Sequence, residues 1–577
     1  MEAIALMLLS FLGYIVAYHT YGKFLARKIF KLSSSRAVPS VEQEDGIDFI
    51  PTRKGVIFGH HYTSIAGTGP IVGPAIGIIW GWIPAMVWIF LGSIFMGAVH
   101  DFGSLVLSLR NKGESLSEFA ARYINVRLRY ISFLIIFLEL LIIIAIFGLI
   151  IAVIFKMFPQ SVFPVWSEIP IAFGLGWLIY KRGKNVVLAT VAAVTLMYIT
   201  VFIGHYFPID LPDFGSLPAT GAWTIILLAY AFIASTIPVN RLLQPRDYIN
   251  AWQLFIAMGL LVIGVFGSGV GGELEIVAPA FNLAASGAPP ILPFLFITIA
   301  CGAISGFHCV VSSGTTSKQL AKEPDALFVG YGSMLLEAAL ATLVIIAVSA
   351  GIGIAYETGD GSILTGSAAW QEHYASWSAS KGLASKINAV VIGSANMMES
   401  ILIPKTMGII IIGVFIASFA GTTLDSATRV QRYVITELVK KVNLPVISNR
   451  YSTTAFAVLT AAGLAFTTGA DGKGALTLWP LFGAVNQLLA ALALLVISNY
   501  LKLNRHGLSY LLTAIPCLII LGFTIWAIIL NEITFIQSGS SLLILLNGIV
   551  FILSVWMVIE GGYAMLKAEE GLEDNDK

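Results

Sequence analysis

The stretch with the most chemical potential is residues 59–77, GHHYTSIAGTGPIVGPAIG. His60 and His61 can each take up or release a proton near neutral pH. On a helix they point about 100° apart, so one of them can face a cavity while the other faces protein. Thr63, Ser64 and Thr68 add hydroxyls to the same stretch. Gly67, Gly69, Gly73 and Gly77 follow, interleaved with Pro70 and Pro74. Proline removes a backbone donor and clashes with the preceding turn. Glycine lowers the cost of leaving helical geometry. The pattern predicts a helix that unwinds over 67–74 inside the membrane. Its bare N–H groups, with the positive end of a half-helix, suit an anionic group such as a carboxylate. A kinked helix packed through small residues is the plain alternative. The candidate substrate-binding residues here are His60, His61, Thr63, Ser64, Gly67, Thr68 and Gly69.

A second interruption is expected near 238–248. Pro238, Asn240, Arg241, Gln244, Pro245, Arg246 and Asp247 end an apolar run there, and Gln244 joins the substrate candidates. Ser312, Ser313 and Thr315, next to Thr316, offer hydroxyl oxygens for a small cation or a proton relay. The same hydroxyls could bond their own backbone at a helix end. Glu139 lies in the middle of an apolar run. A charge there costs on the order of 3 kcal/mol, so it must pair, protonate or face water. Glu337 is similar but nearer one end of its run. The candidates for ion coupling are therefore His61, Ser312, Ser313, Thr315 and Glu139. His100-Asp101 and His308-Cys309 are adjacent pairs that diverge on a helix, and neither has metal-ligand spacing. Thr422, Thr423 and Asp425 read as a polar helix end. No metal site and no catalytic group pair is expected, so the chain is not read as an enzyme. No P-loop, dinucleotide fingerprint, nucleophile elbow or His-Glu-x-x-His is present, so driven transport would use an ion gradient rather than ATP.

These residues sit in a chain of 577 residues, 57% hydrophobic and only 11% charged. A soluble domain has about 25% charged residues. A span needs roughly 20 apolar residues, so the composition can supply about 15 of them. The 33 Lys and Arg against 32 Asp and Glu give no field for nucleic-acid binding. Apolar runs fall at 2–24, 57–80, 82–107, 130–156, 166–180, 185–206, 221–240, 251–270, 289–312, 327–355, 406–424, 451–468, 475–500, 508–531 and 541–566. The first is read as a span, since Glu2 stands where a signal peptide would be basic. With the N-terminus outside, 28 of the 33 Lys and Arg lie on the cytoplasmic side, which supports N-out, C-in. Segment 356–404 is then outside, and its second half could be an interfacial helix. The three cysteines, Cys301, Cys309 and Cys517, read as buried thiols. The interrupted runs 57–80 and 221–240 are five apart and run in opposite directions. That is the pointer to an inverted-repeat transporter with a midplane site. A channel, a nutrient sensor or an intramembrane enzyme are the competing readings.

Five stretches carry a resemblance: 59–77; WGWIPAMVWIFLGSIFMGAVHDF (80–102); LLQPRDYIN (242–250); GFHCVVSSGTTSKQL (306–320); and FAGTTLDSATRVQRY (419–433). LWPLFGAVNQLLAAL (478–492) adds to them. Together they resemble the carbon starvation protein A family of bacterial inner-membrane transporters. The resemblance implies an all-α polytopic membrane protein with a LeuT-like 5+5 inverted-repeat core. That core would be 57–424, with repeats 57–206 and 221–424. Residues 1–56 would hold an extra N-terminal helix and a cytoplasmic loop, and 425–577 about four C-terminal helices and an acidic tail. It implies uptake of pyruvate or short peptides without an organic cofactor, with protons, or sodium, as the coupling ion. The partners would be that small molecule and the lipid bilayer, with no nucleic acid; nothing in the sequence sets the oligomeric state.

Overall fold

Residues 126–157 contain the most apolar 18-residue stretch of all the candidate spans, with a mean hydropathy of 3.2, and they form one unbroken helix. At 32 residues it is about 48 Å long, against about 30 Å of hydrocarbon, so it is more than long enough to cross. The computed structural model describes residues 1–181, 185–377, 383–441, 449–504 and 507–573. Arg182, Lys184, Lys381, Arg505 and Lys577 of the charge map, and 442–448 of the basic segment, lie outside the described residues.

In chain order the elements are α1 (Glu2–Ile29), the half-helices α2 (Lys54–Ala66) and α3 (Gly69–Gly77), α4 (Trp82–Arg110) and the short α5 (Leu116–Tyr123). Then come α6 (Val126–Met157), α7 (Pro159–Ile179), α8 (Val186–Tyr206), α9 (Ala219–Thr236) and α10 (Leu243–Val270). A second pair of half-helices follows, α11 (Ile291–Thr298) and α12 (Gly306–Gly314), and then α13 (Glu323–Gly353). A two-residue hairpin (Tyr356–Glu357, Ile363–Leu364), α14 (Gly366–Tyr374) and α15 (Leu383–Glu399) form one connecting segment. The chain continues through α16 (Lys405–Lys441), α17 (Arg450–Ala465), α18 (Trp479–Asn504), α19 (Leu508–Ser538) and α20 (Ser541–Glu573).

Among the described residues, 13 helices are long and apolar enough to cross a membrane, taking 54–80 as one. The two other apolar runs are the broken pair α11/α12 and the 16-residue α17. The chain is an all-α polytopic membrane protein. The long helices α6 and α16, of 32 and 37 residues, make the most extensive helix pair of the bundle.

Three expectations are corrected. The first break is short: Gly67 (φ 44, ψ −144) and Thr68 leave the helix, and α3 resumes at Gly69. Pro70 falls in the first turn of α3, where no donor is needed, so it starts a helix instead of prolonging the gap. The expected interruption near 238–248 is instead the connection between two continuous helices, α9 and α10. Pro245 lies in the opening turn of α10, again where proline is tolerated. The second broken span is the run 289–312, where the chain leaves α11 after Thr298 and restarts at Gly306, with Gly302 at φ 88. Finally, Thr422, Thr423 and Asp425 are not a helix end. α16 runs through them to Lys441, because each of the three side chains finds a partner inside the protein. The boundary expected at 424 therefore falls inside a helix.

Candidate functional site

The two breaks meet. A Cβ on Gly69 would lie 2.3 Å from both Cβ and Sγ of Cys301, so only glycine lets α3 approach the 299–305 segment this closely. Gly67 holds its positive φ against α16, with Thr423 Oγ1 2.5 Å from where its Cβ would be. The two half-helix starts differ. At α12, Asn486 Oδ1 accepts from the Phe307 N–H (3.0 Å) and from Ser305 Oγ (3.1 Å). At α3 no side chain among the described residues caps the helix, and the Ile71 and Val72 N–H groups donate to the Thr68 carbonyl (3.1 and 2.9 Å). Gly69 precedes the intrahelical ladder and Pro70 has no N–H.

A cavity of about 690 Å³ opens at the start of α3. Gly69, Gly73, Thr298 and Cys301 line it from the broken helices, Trp377 and Lys386 from the connecting segment, and Trp479, Asn531 and Phe535 from α18 and α19. Lys386 is the one charged side chain in that lining among the described residues. It is buried, donates to the His373 carbonyl (3.1 Å) and lies 3.7 Å from the Tyr374 ring centre. Burial brings its ammonium down to about 7. The connecting segment also grips α3 directly, since Tyr374 donates to the Ala75 carbonyl (2.7 Å).

Two buried polar clusters flank the breaks. On one side, His60 Nδ1 is 2.6 Å from Asp247, Asp247 is 3.1 Å from Arg246, and Arg246 pairs with Asp425, which also accepts from Tyr230 (2.9 Å). This chain ties α2, α9, α10 and α16 together. Arg246→Leu leaves two buried carboxylates without their cation. We expect a loss of about 3–5 kcal/mol of stability, read as a lowered thermal midpoint of the purified protein. On the other side, Asp101 of α4 accepts from His100 (3.0 Å) and His308 (2.9 Å), and His308 lies 3.3 Å from Glu337 of α13. The sequence treated these residues as isolated pairs; only the fold brings them together.

Of the candidate substrate residues, only Gly69 lines the cavity. His60 is held by Asp247. His61 Nδ1 is 2.8 Å from Thr316 Oγ1, while its Nε2 and the Thr68 hydroxyl are buried without a protein partner. Thr63 bonds back to the Gly59 carbonyl, and Ser64 meets Ser426 (3.0 Å). Gln244 is bonded to Gln319 and Thr52, away from the cavity. Among the coupling candidates, Ser313 and Thr315 bond back to their own helix, Ser312 Oγ is unpartnered, and both carboxyl oxygens of Glu139 are buried without a protein partner. Lys386 and the lining from α18 and α19 were missed. The one advance signal was a lysine in an otherwise apolar part of a connecting segment.

Broken helices packed on each other beside a solute-sized cavity define a membrane transport protein. The chain belongs to the carbon starvation protein CstA family, whose model matches residues 2–527. The peptide transporter CstA of Campylobacter jejuni is 33% identical, covering 91% of this chain and 80% of its own. The pyruvate/proton symporter BtsT of Escherichia coli is 32% identical, with 91% and 81% covered. The peptide transporter CstA of Bacillus subtilis is 31% identical, with 91% and 89% covered. Similar solved structures include a manganese transporter of Eremococcus coleocola (TM-score 0.48, 12% identity, 91% of this chain and 99% of that one) and the nucleobase-cation-symport-1 family transporter Mhp1 (0.44, 13%, 90% and 95%).

Proposed function

We propose that this protein is a proton-coupled secondary transporter of the bacterial inner membrane that imports a small carboxylate or short peptide by alternating access. The observation that carries the reading is the cavity itself. It is floored by the start of a half-helix and carries the buried Lys386, and both features favour an anionic group. Among the relatives are a pyruvate/proton symporter and peptide transporters, and all their named substrates bear a carboxylate. A volume of about 690 Å³ leaves room for a peptide as well as a three-carbon acid.

The packing supports an inverted repeat, with a different pairing from the one the sequence suggests. Span 54–80 corresponds to 291–314. α10 covers α2 as α18 covers α12, and α9 lies on α6 as α17 lies on α16. The first repeat is then α2/α3, α4, α6, α9 and α10, with α7–α8 inserted. The second is α11/α12, α13, α16, α17 and α18. With the N-terminus outside, the two run in opposite directions and the connecting segment lies on the outer face. Impermeant labelling of cysteines placed at 36 and 360 reports on this; they should react from opposite sides.

The deciding experiment is uptake by proteoliposomes under an imposed inward proton gradient, with pyruvate and dipeptides as solutes. Accumulation of at least one is expected, abolished by dissipating the gradient. Accumulation of none would sink the proposal. The site is read separately through Cys301, the cysteine that lines the cavity. The transported solute should slow its modification by a small thiol reagent.

A further inference from the structure

The proposed coupling needs a group that takes up and releases a proton within reach of the breaks. Asp101, His308 and Glu337 are all fully buried, on three different elements. Only His308 touches both carboxylates: its Nδ1 lies 2.9 Å from Asp101 and its Nε2 3.3 Å from Glu337. With Nδ1–H donated to Asp101, Nε2 faces Glu337 Oε2 with a lone pair. Two arrangements avoid repulsion there. Either His308 carries a second proton beside an ionised Glu337, or Glu337 carries it beside a neutral ring. Both contain one and the same proton. Without it, two carboxylates would be buried beside neutral imidazoles, a net charge of −2 with no fixed cation, which a membrane interior does not tolerate unpaired.

The position of the pair gives that proton leverage. Glu337 Oε1 accepts from the Gly302 N–H (3.0 Å), in the unwound segment between α11 and α12. The preceding residue, Cys301, lines the cavity and abuts Gly69. A change of charge at Glu337 thus acts on the same backbone that a solute would touch. The titratable groups within electrostatic reach are His61 and Tyr62 from α2, His100 from α4, Glu139 from α6, and Cys301 and Cys309. None of them is a fixed cation. The other polar cluster differs, because Arg246 already balances it.

We infer that the His308–Glu337 pair, steadied by Asp101, is the site of the coupling proton. This rests on the proton-coupled reading above. The pair carries the proton inward with the solute and gives it up to water on the inner side, where the Gly302 N–H holds the carboxylate that is left. No covalent step is involved; one proton binds on one side and leaves on the other.

The test compares E337Q and H308Q with wild type in proteoliposomes. Gradient-driven pyruvate accumulation should fall by a factor on the order of ten or more. Counterflow exchange, which needs no net proton movement, should persist. Wild-type accumulation in both variants would overturn the inference, and so would loss of counterflow together with accumulation, which would make the pair a structural support. Uncoupling by E139Q but not by E337Q would move the proton to Glu139 and also overturn it. A second measurement needs no solute. Infrared difference spectra of the purified protein between acid and neutral pH should show a band, of an imidazolium or of a carboxylic acid according to where the proton sits, that disappears in E337Q. If that band survives in E337Q, the assignment is wrong even where wild type transports. If wild type accumulates neither pyruvate nor dipeptides but the band behaves as expected, it is the transport reading that fails.

Discussion

Gly69→Ala is expected to cut the initial rate of uptake about tenfold or more for every solute carried, while the chain still folds and inserts. The new methyl group would sit 2.3 Å from Cβ of Cys301. A side-chain rotation cannot clear a Cβ, so α3 and the 299–305 backbone must separate. Overpacking of this kind costs about 1–3 kcal/mol, and each 1.4 kcal/mol is about a factor of ten in an equilibrium. The separation falls where the two interrupted helices must pass close to one another, so its cost lands on the transport cycle. Gly69→Val should be worse. Cys301→Gly added to Gly69→Ala should restore part of the rate, because it removes the atoms struck. If the alanine variant transports like wild type, the two breaks do not work as a unit.

Lys386→Met should raise the half-saturating concentration of a carboxylate about 10- to 100-fold. A hydrogen bond to a charged group contributes about 1.5–3 kcal/mol. The pH dependence has a definite sign. Burial lowers the lysine to about 7, so the ammonium is present below that value and is lost above it. The solute carboxylate stays ionised over the whole window. Affinity should therefore weaken as pH rises through about 7. His373, which burial and the neighbouring lysine hold at about 4, stays neutral there and adds no change of sign. Lys386→Arg should keep its affinity above neutral pH, and Lys386→Met should flatten the profile. Equilibrium binding or counterflow is the right measurement, since neither responds to the driving gradient. A profile unchanged by Lys386→Met would remove the lysine from the site.

Much of the fold was legible because membrane spans are written in composition. Runs such as 130–156 have no other stable state in a bilayer than a helix. The break at 67–68 was legible for a related reason: four glycines and two prolines within 67–77 conflict with a continuous helix. The break at 299–305 was not. Its surroundings hold only Pro293, Gly302 and Gly306, which is ordinary for a membrane helix, and tertiary contacts from Asn486 and Glu337 do the unwinding. The helix end expected at Thr422, Thr423 and Asp425 failed in the opposite way. Thr422, Thr423 and Asp425 look like a surface because linear hydropathy cannot distinguish water from a polar partner on another helix. The Asp101–His308–Glu337 cluster was invisible for the same reason, since Asp101 lies 207 residues before His308 and Glu337 lies 29 after it (337 − 308), and they meet only in three dimensions.

Asn486 gives the two half-helices unequal fates. Its amide oxygen stands in, permanently, where a solute's oxygen could have docked on α12, so that helix end is filled by the chain's own side chain. At the start of α3 the Ile71 and Val72 N–H groups turn to the Thr68 carbonyl, and no such side-chain oxygen of the described residues sits there. On the proposed transport reading, only the α3 end is left for a solute. Because the plug comes from α18 and part of the chamber wall from α19, a protein shortened before residue 479 would lose the asymmetry as well as the enclosure.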